Sequence, residues 1–229
     1  MRLFLFFYPI PERMNGIVSF IFALVEFSLI IYVNRNSTKN KTNNLLFILL
    51  ILLSIYQFFE FLICGLDLRF PWITYLAFVT ITFMPPLGLY AVLNFAGYKN
   101  KWLALLFLPA LFFTVYYLIV LNEFEVLKCT PVYAAYNYPL GFLYGFFYYL
   151  PILAVIIITL VKYKTVKVNN IRSLWKILFA GYSVTFIPGF IFTRLFDEML
   201  FAVESILCKF AFILVWFLVY FIKSNNSTN

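Results

Sequence analysis

Four ionisable side chains interrupt long apolar runs in this chain: Glu26, Glu60, Glu204 and Lys209. A charge at the centre of a bilayer costs roughly 2.5–3.5 kcal/mol on insertion scales, so each of them needs a reason. Glu60 follows Gln57 at i+3, which puts an amide and a carboxyl on one helix face. Such a carboxyl can be protonated, paired with a cation or set against a wet cavity. Lys209 stands about ten residues into its apolar run, close to mid-membrane. Glu204 is five residues away, about 140° around a helix, so the two do not share a face. A charged Lys209 therefore needs a carboxylate from another helix, and Glu60 or Glu26 could serve. The leading expectation is a buried ion pair between the second and seventh spans. The plainer alternatives are a protonated glutamate that glues helices together and a lysine that snorkels to an interface.

Other chemistries are excluded by what is missing. The chain has no histidine, which removes imidazole bases, Ser-His and Cys-His pairs and histidine-rich zinc sites. Its three cysteines, Cys64, Cys129 and Cys208, form no Cys-x-x-Cys pair, so no metal site is expected. Cys64 and Cys129 both fall near loops expected on the outer face, which leaves a disulfide between them open. For an intramembrane enzyme, Glu60 or Glu204 would have to act as general base. No oriented nucleophile is evident beside either.

The elements that must position these residues follow from composition. Hydrophobic residues make up 65% of the chain and charged residues 11%, against about 45–50% and 25% in soluble proteins. A soluble fold of this length could not hide so much apolar surface. Crossing the roughly 30 Å hydrocarbon layer takes about 20 residues, and seven stretches qualify: Asn15–Val33, Leu45–Gly65, Trp72–Ala96, Trp102–Leu121, Leu140–Val161, Leu174–Thr193 and Met199–Ile222. The predicted fold is all-α, a single seven-span transmembrane bundle. Pro85–Pro86 is expected to kink or break the third span, and Pro188–Gly189 makes the sixth the weakest. Residues 1–10 are too short to span and read as an interfacial anchor. No internal repeat and no separate soluble domain is visible.

Loop charge sets the orientation. Arg35, Lys39 and Lys41 lie in the first loop, Lys99 and Lys101 in the third. Lys162, Lys164, Lys167, Arg172 and Lys176 lie in or beside the fifth, and Lys223 in the tail. The alternate loops carry only Arg69, Lys128 and Arg194, beside five acidic residues. The N-terminus is thus expected outside and the C-terminus in the cytoplasm, in a plasma membrane. The net charge of +8 is spread over short loops and does not form a nucleic-acid patch. Asn36-Ser-Thr, Asn40-Lys-Thr and Asn226-Ser-Thr match the glycosylation pattern but fall on the cytoplasmic side.

Further polar groups are Tyr90 and Asn94 in the third span, Tyr144 and Tyr148 in the fifth and Tyr182 in the sixth. Prolines 85, 86, 151 and 188 distort three helices and can open cavities lined by freed carbonyls. Together these features suggest a polar cavity towards the outer half, with Gln57, Glu60, Lys209, Asn94 and Tyr90 as ligand contacts. No cofactor is called for, and the expected partners are the bilayer and a small or lipidic ligand.

Two resemblances bear on this. The stretch Ser205-Ile-Leu-Cys208-Lys209-Phe-Ala211-Phe resembles the Schiff-base segment of microbial rhodopsins, which would imply retinal on Lys209; the third span holds no carboxylate as counter-ion. Tyr56-Gln57-Phe-Phe-Glu60-Phe61, Phe83-Met-Pro85-Pro86-Leu87 and Ser205–Ala211 resemble segments of an uncharacterised prokaryotic family of small seven-helix membrane proteins with a Gln-x-x-Glu second helix. That resemblance implies a membrane address and no chemistry. The expected function is to bind or pass a small or lipidic ligand. A retinal photoreceptor, an intramembrane enzyme and a structural or assembly role are the alternatives.

Overall fold

The structure, a computed structural model, describes residues 16–37, 40–131, 133–195 and 203–226. The expected anchor at residues 1–10 lies outside these. The helices are α1 (Ile17–Asn36), α2 (Lys41–Cys64), α3 (Pro71–Phe95), α4 (Leu108–Ile119, entered through a 3-10 stretch at Lys101–Phe107), α5 (Gly141–Thr165), α6 (Asn169–Leu195) and α7 (Val203–Asn226). All seven spans are long and apolar enough to cross a membrane. The chain is a multi-pass integral membrane protein with an all-α bundle.

Several helices outrun their apolar stretches at one end. α2 starts at Lys41 rather than Leu45, α5 runs on to Thr165 and α6 starts at Asn169. The added turns are polar, and they keep the backbone hydrogen-bonded as the chain leaves the hydrocarbon. Asn40 caps α2 by accepting the amide of Asn43 at 2.8 Å. Pro85–Pro86 does not break α3, nor does Pro188 break α6. Each proline leaves a carbonyl four residues back without its helical partner, yet packing against neighbours holds both helices together. α3 is the central helix, with 72% of its apolar window buried against protein, whereas the fourth span buries 17% and lies at the periphery.

One element is not apparent from the sequence. The loop between α4 and α5 folds into an antiparallel hairpin, β1 (Glu125–Cys129) and β2 (Ala134–Asn137), with a bulge between Val126 and Lys128. The hairpin lies over the ends of α1, α2 and α7. Cys129 on β1 is joined to Cys64, the last residue of α2, by a disulfide. The open possibility in the sequence is thereby resolved in favour of the bond. Gly16 donates its amide to the carbonyl of Thr130 in the hairpin turn at 3.2 Å. It does so at φ +71°, where a Cβ would stand 2.9 Å from the Gly65 nitrogen. Glycine is required there on both counts. Beneath the hairpin, Phe78 of α3 packs edge-on against Phe124, Tyr136 and Tyr138, with ring centroids 4.7–5.4 Å apart.

The disulfide closes a loop across 65 residues, so losing it should cost about 2–4 kcal/mol. Cys64→Ala, or reduction, is expected to lower the unfolding midpoint of the purified protein. Cys208→Ala should leave the crosslink intact on a non-reducing gel. An unchanged midpoint after reduction would show that the hairpin holds without the bond.

Candidate functional site

Two of the four ionisable residues, Glu60 and Lys209, meet one turn below the hairpin, and the side chain of Glu204 lies outside the described residues. Glu60 lies four residues before the end of α2, and Lys209 six residues past Val203 of α7. At 1.5 Å per residue Glu60 is about 6 Å from that end of α2. The site sits near the end of α2 that carries Cys64, beside the hairpin.

The expected ion pair between the second and seventh helices is present, with Lys209 Nζ 2.8 Å from Glu60 Oε1. It is enclosed, since the side chains are 8% and 1% exposed. An ammonium has three N–H donors, and all three are used: on Glu60, on Ser19 Oγ at 2.8 Å and on Gln57 Oε1 at 2.6 Å. Glu60 Oε1 also accepts from Ser19 Oγ at 3.1 Å, and Oε2 accepts from Ser205 Oγ at 3.0 Å. Gln57 passes the connection back to α7, its Nε2 donating to the carbonyl of Cys208 at 2.9 Å. Ser205 in turn accepts the backbone amide of Ala134 in β2 at 3.0 Å. The i, i+3 spacing of Gln57 and Glu60 thus presents an amide and a carboxylate to one ammonium. The i−4 spacing of Ser205 from Lys209 lets one turn of α7 reach both Glu60 and the hairpin.

Ser19 is the member that sequence reasoning missed. A lone serine in an apolar helix carries no distinguishing signal, because Ser28 on the same helix merely bonds back to the Leu24 carbonyl. The structure also revises the absence of a hydroxyl beside Glu60, since Ser19 and Ser205 both touch it. Both serines donate to the carboxylate, and Ser19 also receives a proton donor from Lys209. All three N–H groups of Lys209 are engaged and neither serine donates to it, so the arrangement works as a fastening between helices.

Tyr90 and Asn94 lie elsewhere, near the opposite end of α3. Asn94 accepts from Thr42 Oγ1 at 3.1 Å, and Lys41 Nζ lies 5.3 Å from the Tyr90 ring centroid. Beside them Asn43 bonds with Asn225 and Asn226 of α7, each at 2.9 Å. α2 and α7 are therefore tied at both ends, by ions at one and amides at the other.

Two cavities accompany the prolines. The larger, about 300 Å³, lies between α3, α4 and α5 and is lined by residues that include Thr82, Pro86, Ala110, Phe113, Tyr148 and Pro151. Leu105 and Leu150 at its rim are half exposed, so it opens on the flank of the bundle. Its polar groups include the hydroxyls of Thr82 and Tyr144, which bond to each other at 3.0 Å. The smaller, about 30 Å³, lies at the bundle centre beside Pro85, Tyr148 and Cys208. Neither is lined by Glu60, Gln57 or Lys209. Retinal on Lys209 would need ligand-sized space at its Nζ, roughly 300 Å³ or more, and the cavity beside the neighbouring Cys208 has room for a water or two.

Among the described residues no group of histidine, cysteine, aspartate or glutamate is placed to hold a metal ion. The chain matches no family model, no curated protein and no solved structure.

A buried ion pair that loses one partner leaves a charge without compensation, at about 3–5 kcal/mol. Lys209→Met and Glu60→Met are each expected to destabilise the protein by that amount. The double variant should cost no more than either single one. Denaturant or thermal unfolding in detergent reads all three, and additive losses would show that the two side chains do not act as a pair.

Proposed function

We propose that the chain binds a lipidic ligand, a single acyl or isoprenoid chain, in the cavity between α3, α4 and α5. In this reading Gln57, Glu60 and Lys209 hold the bundle in the shape that keeps that cavity open. The observation that carries it is the cavity itself. It has the minimum size of a ligand site, an almost wholly apolar lining and a mouth at Leu105 and Leu150 on a bilayer-facing flank. The Thr82–Tyr144 hydroxyl pair offers a polar contact to a head or linker group. Pro86 and Pro151, which cannot fill a helical groove as a longer side chain would, line the opening. Tyr148 lines both cavities, and through Cys208 the inner one adjoins the backbone carbonyl that Gln57 holds. Ligand occupancy and the charged fastening are thus neighbours in the packing.

The same reading places the N-terminus outside and the C-terminus in the cytoplasm of a plasma membrane. Loop charge supports this. So does the disulfide, which belongs to an oxidising compartment and joins the end of α2 to the hairpin, on the side that loop charge puts outside.

A photoactivatable fatty-acid analogue, incorporated into membranes holding the protein, tests the site. Crosslinks should concentrate on Leu106, Pro109 and Phe147, and fall at least several-fold in Ala154→Phe, which fills the cavity. Crosslinks spread evenly over lipid-facing residues and unaffected by Ala154→Phe would contradict the proposal.

A further inference from the structure

Glu26 lies at the middle of α1, nine residues beyond Ile17 and thus about 14 Å into the helix. It is 1% exposed, and neither carboxyl oxygen has a hydrogen-bond partner. Native structures seldom leave a buried polar group in that condition without a reason. An ionised carboxylate in such a place would be far more costly than a neutral one.

Among the described residues none makes an ion pair with Glu26. α1 packs against α2 and α7. The titratable side chains described on those helices are Lys41, Tyr56 and Glu60 on α2, and Cys208, Lys209, Tyr220 and Lys223 on α7. Lys209 is the charge that acts on Glu26. All three of its N–H donors are already committed, to Glu60, Ser19 and Gln57. Lys41 and Lys223, like Arg35 of α1, stand at the opposite ends of their helices. Among the described side chains the middle of the seam between α1, α2 and α7 therefore holds two carboxyls, Glu26 and Glu60, against one ammonium.

A metal cation would need several oxygens around Glu26. Oxygens described in the seam are engaged elsewhere: Ser54 Oγ donates to the Ala23 carbonyl at 3.3 Å, and Ser19 Oγ and Gln57 Oε1 receive Lys209. The remaining cation that fits is a proton, which needs no coordination shell.

We propose that Glu26 is an intramembrane proton-binding site, holding one proton at neutral pH and able to give it up only if Lys209 is drawn away from Glu60. The exchange is balanced. Release of one proton from the Glu26 carboxyl leaves a carboxylate, and the ammonium that then faces it must leave Glu60, which takes up a proton in its turn. The inference does not depend on the lipid cavity.

Infrared spectra of the full chain in nanodiscs at neutral pH test it. Wild type should show the C=O stretch of a protonated carboxylic acid, moving to lower frequency in D2O. The band should be lost in Glu26→Gln and kept in the Glu60→Met/Lys209→Met double variant, which leaves no ammonium to draw the proton from Glu26. Glu26→Gln and Glu26→Leu should both fold with the disulfide formed, because neither removes a charge. A band that survives Glu26→Gln, or that disappears in the Glu60→Met/Lys209→Met double variant, would overturn the proposal. So would failure of both Glu26 variants to fold.

Discussion

An ammonium in a place without free water must find an acceptor for each of its three N–H groups, and Lys209 finds them on two other helices. Glu60 and Gln57 come from α2 and Ser19 from α1, while α7 supplies the lysine itself. The three elements are the first two and the last in the chain, so the cluster closes only when the whole bundle is assembled. Ser205 extends it to the hairpin through the Ala134 amide, and the Cys64–Cys129 disulfide fixes the hairpin to α2 a turn away. The charged cluster and the covalent bond thus secure the same end of the molecule. One is sensitive to charge and the other to redox state.

The requirement for full satisfaction also explains why the cluster and the cavities are separate. A polar group that faced an open cavity would share its donors with water or ligand, and Lys209 has none to share. Open space instead follows the prolines: Pro86 and Pro151 line the outer cavity and Pro85 the inner one. In a packed bundle a proline ring occupies less of the groove than a longer side chain and frees a carbonyl behind it. The polar and the apolar halves of the interior therefore arise from different residues, on α2 and α7 in one case and on α3 and α5 in the other.

Much of the fold was legible because the bilayer imposes a length. Seven apolar runs of about 20 residues could be counted directly, and the ion pair was legible because a lysine and a glutamate inside such runs demand partners. What periodicity cannot supply is depth. Tyr90 and Asn94 share a face at i, i+4, yet they lie at the far end of α3 from Gln57 and Glu60. Ser19 and the hairpin were not legible at all. A serine bonds locally in most apolar helices, and a loop with mixed polar and apolar residues acquires its strand pairing from what it covers.

The account rests on the contact between Lys209 Nζ and the Glu60 carboxylate inside a bilayer. The most direct measurement is a solid-state NMR dipolar coupling in lipid membranes, between ¹⁵N at Lys209 Nζ and ¹³C at the Glu60 carboxyl. The account predicts strong dephasing that places the two within hydrogen-bonding range, and its loss in Lys209→Met. No measurable dephasing in folded, disulfide-bonded protein would contradict it.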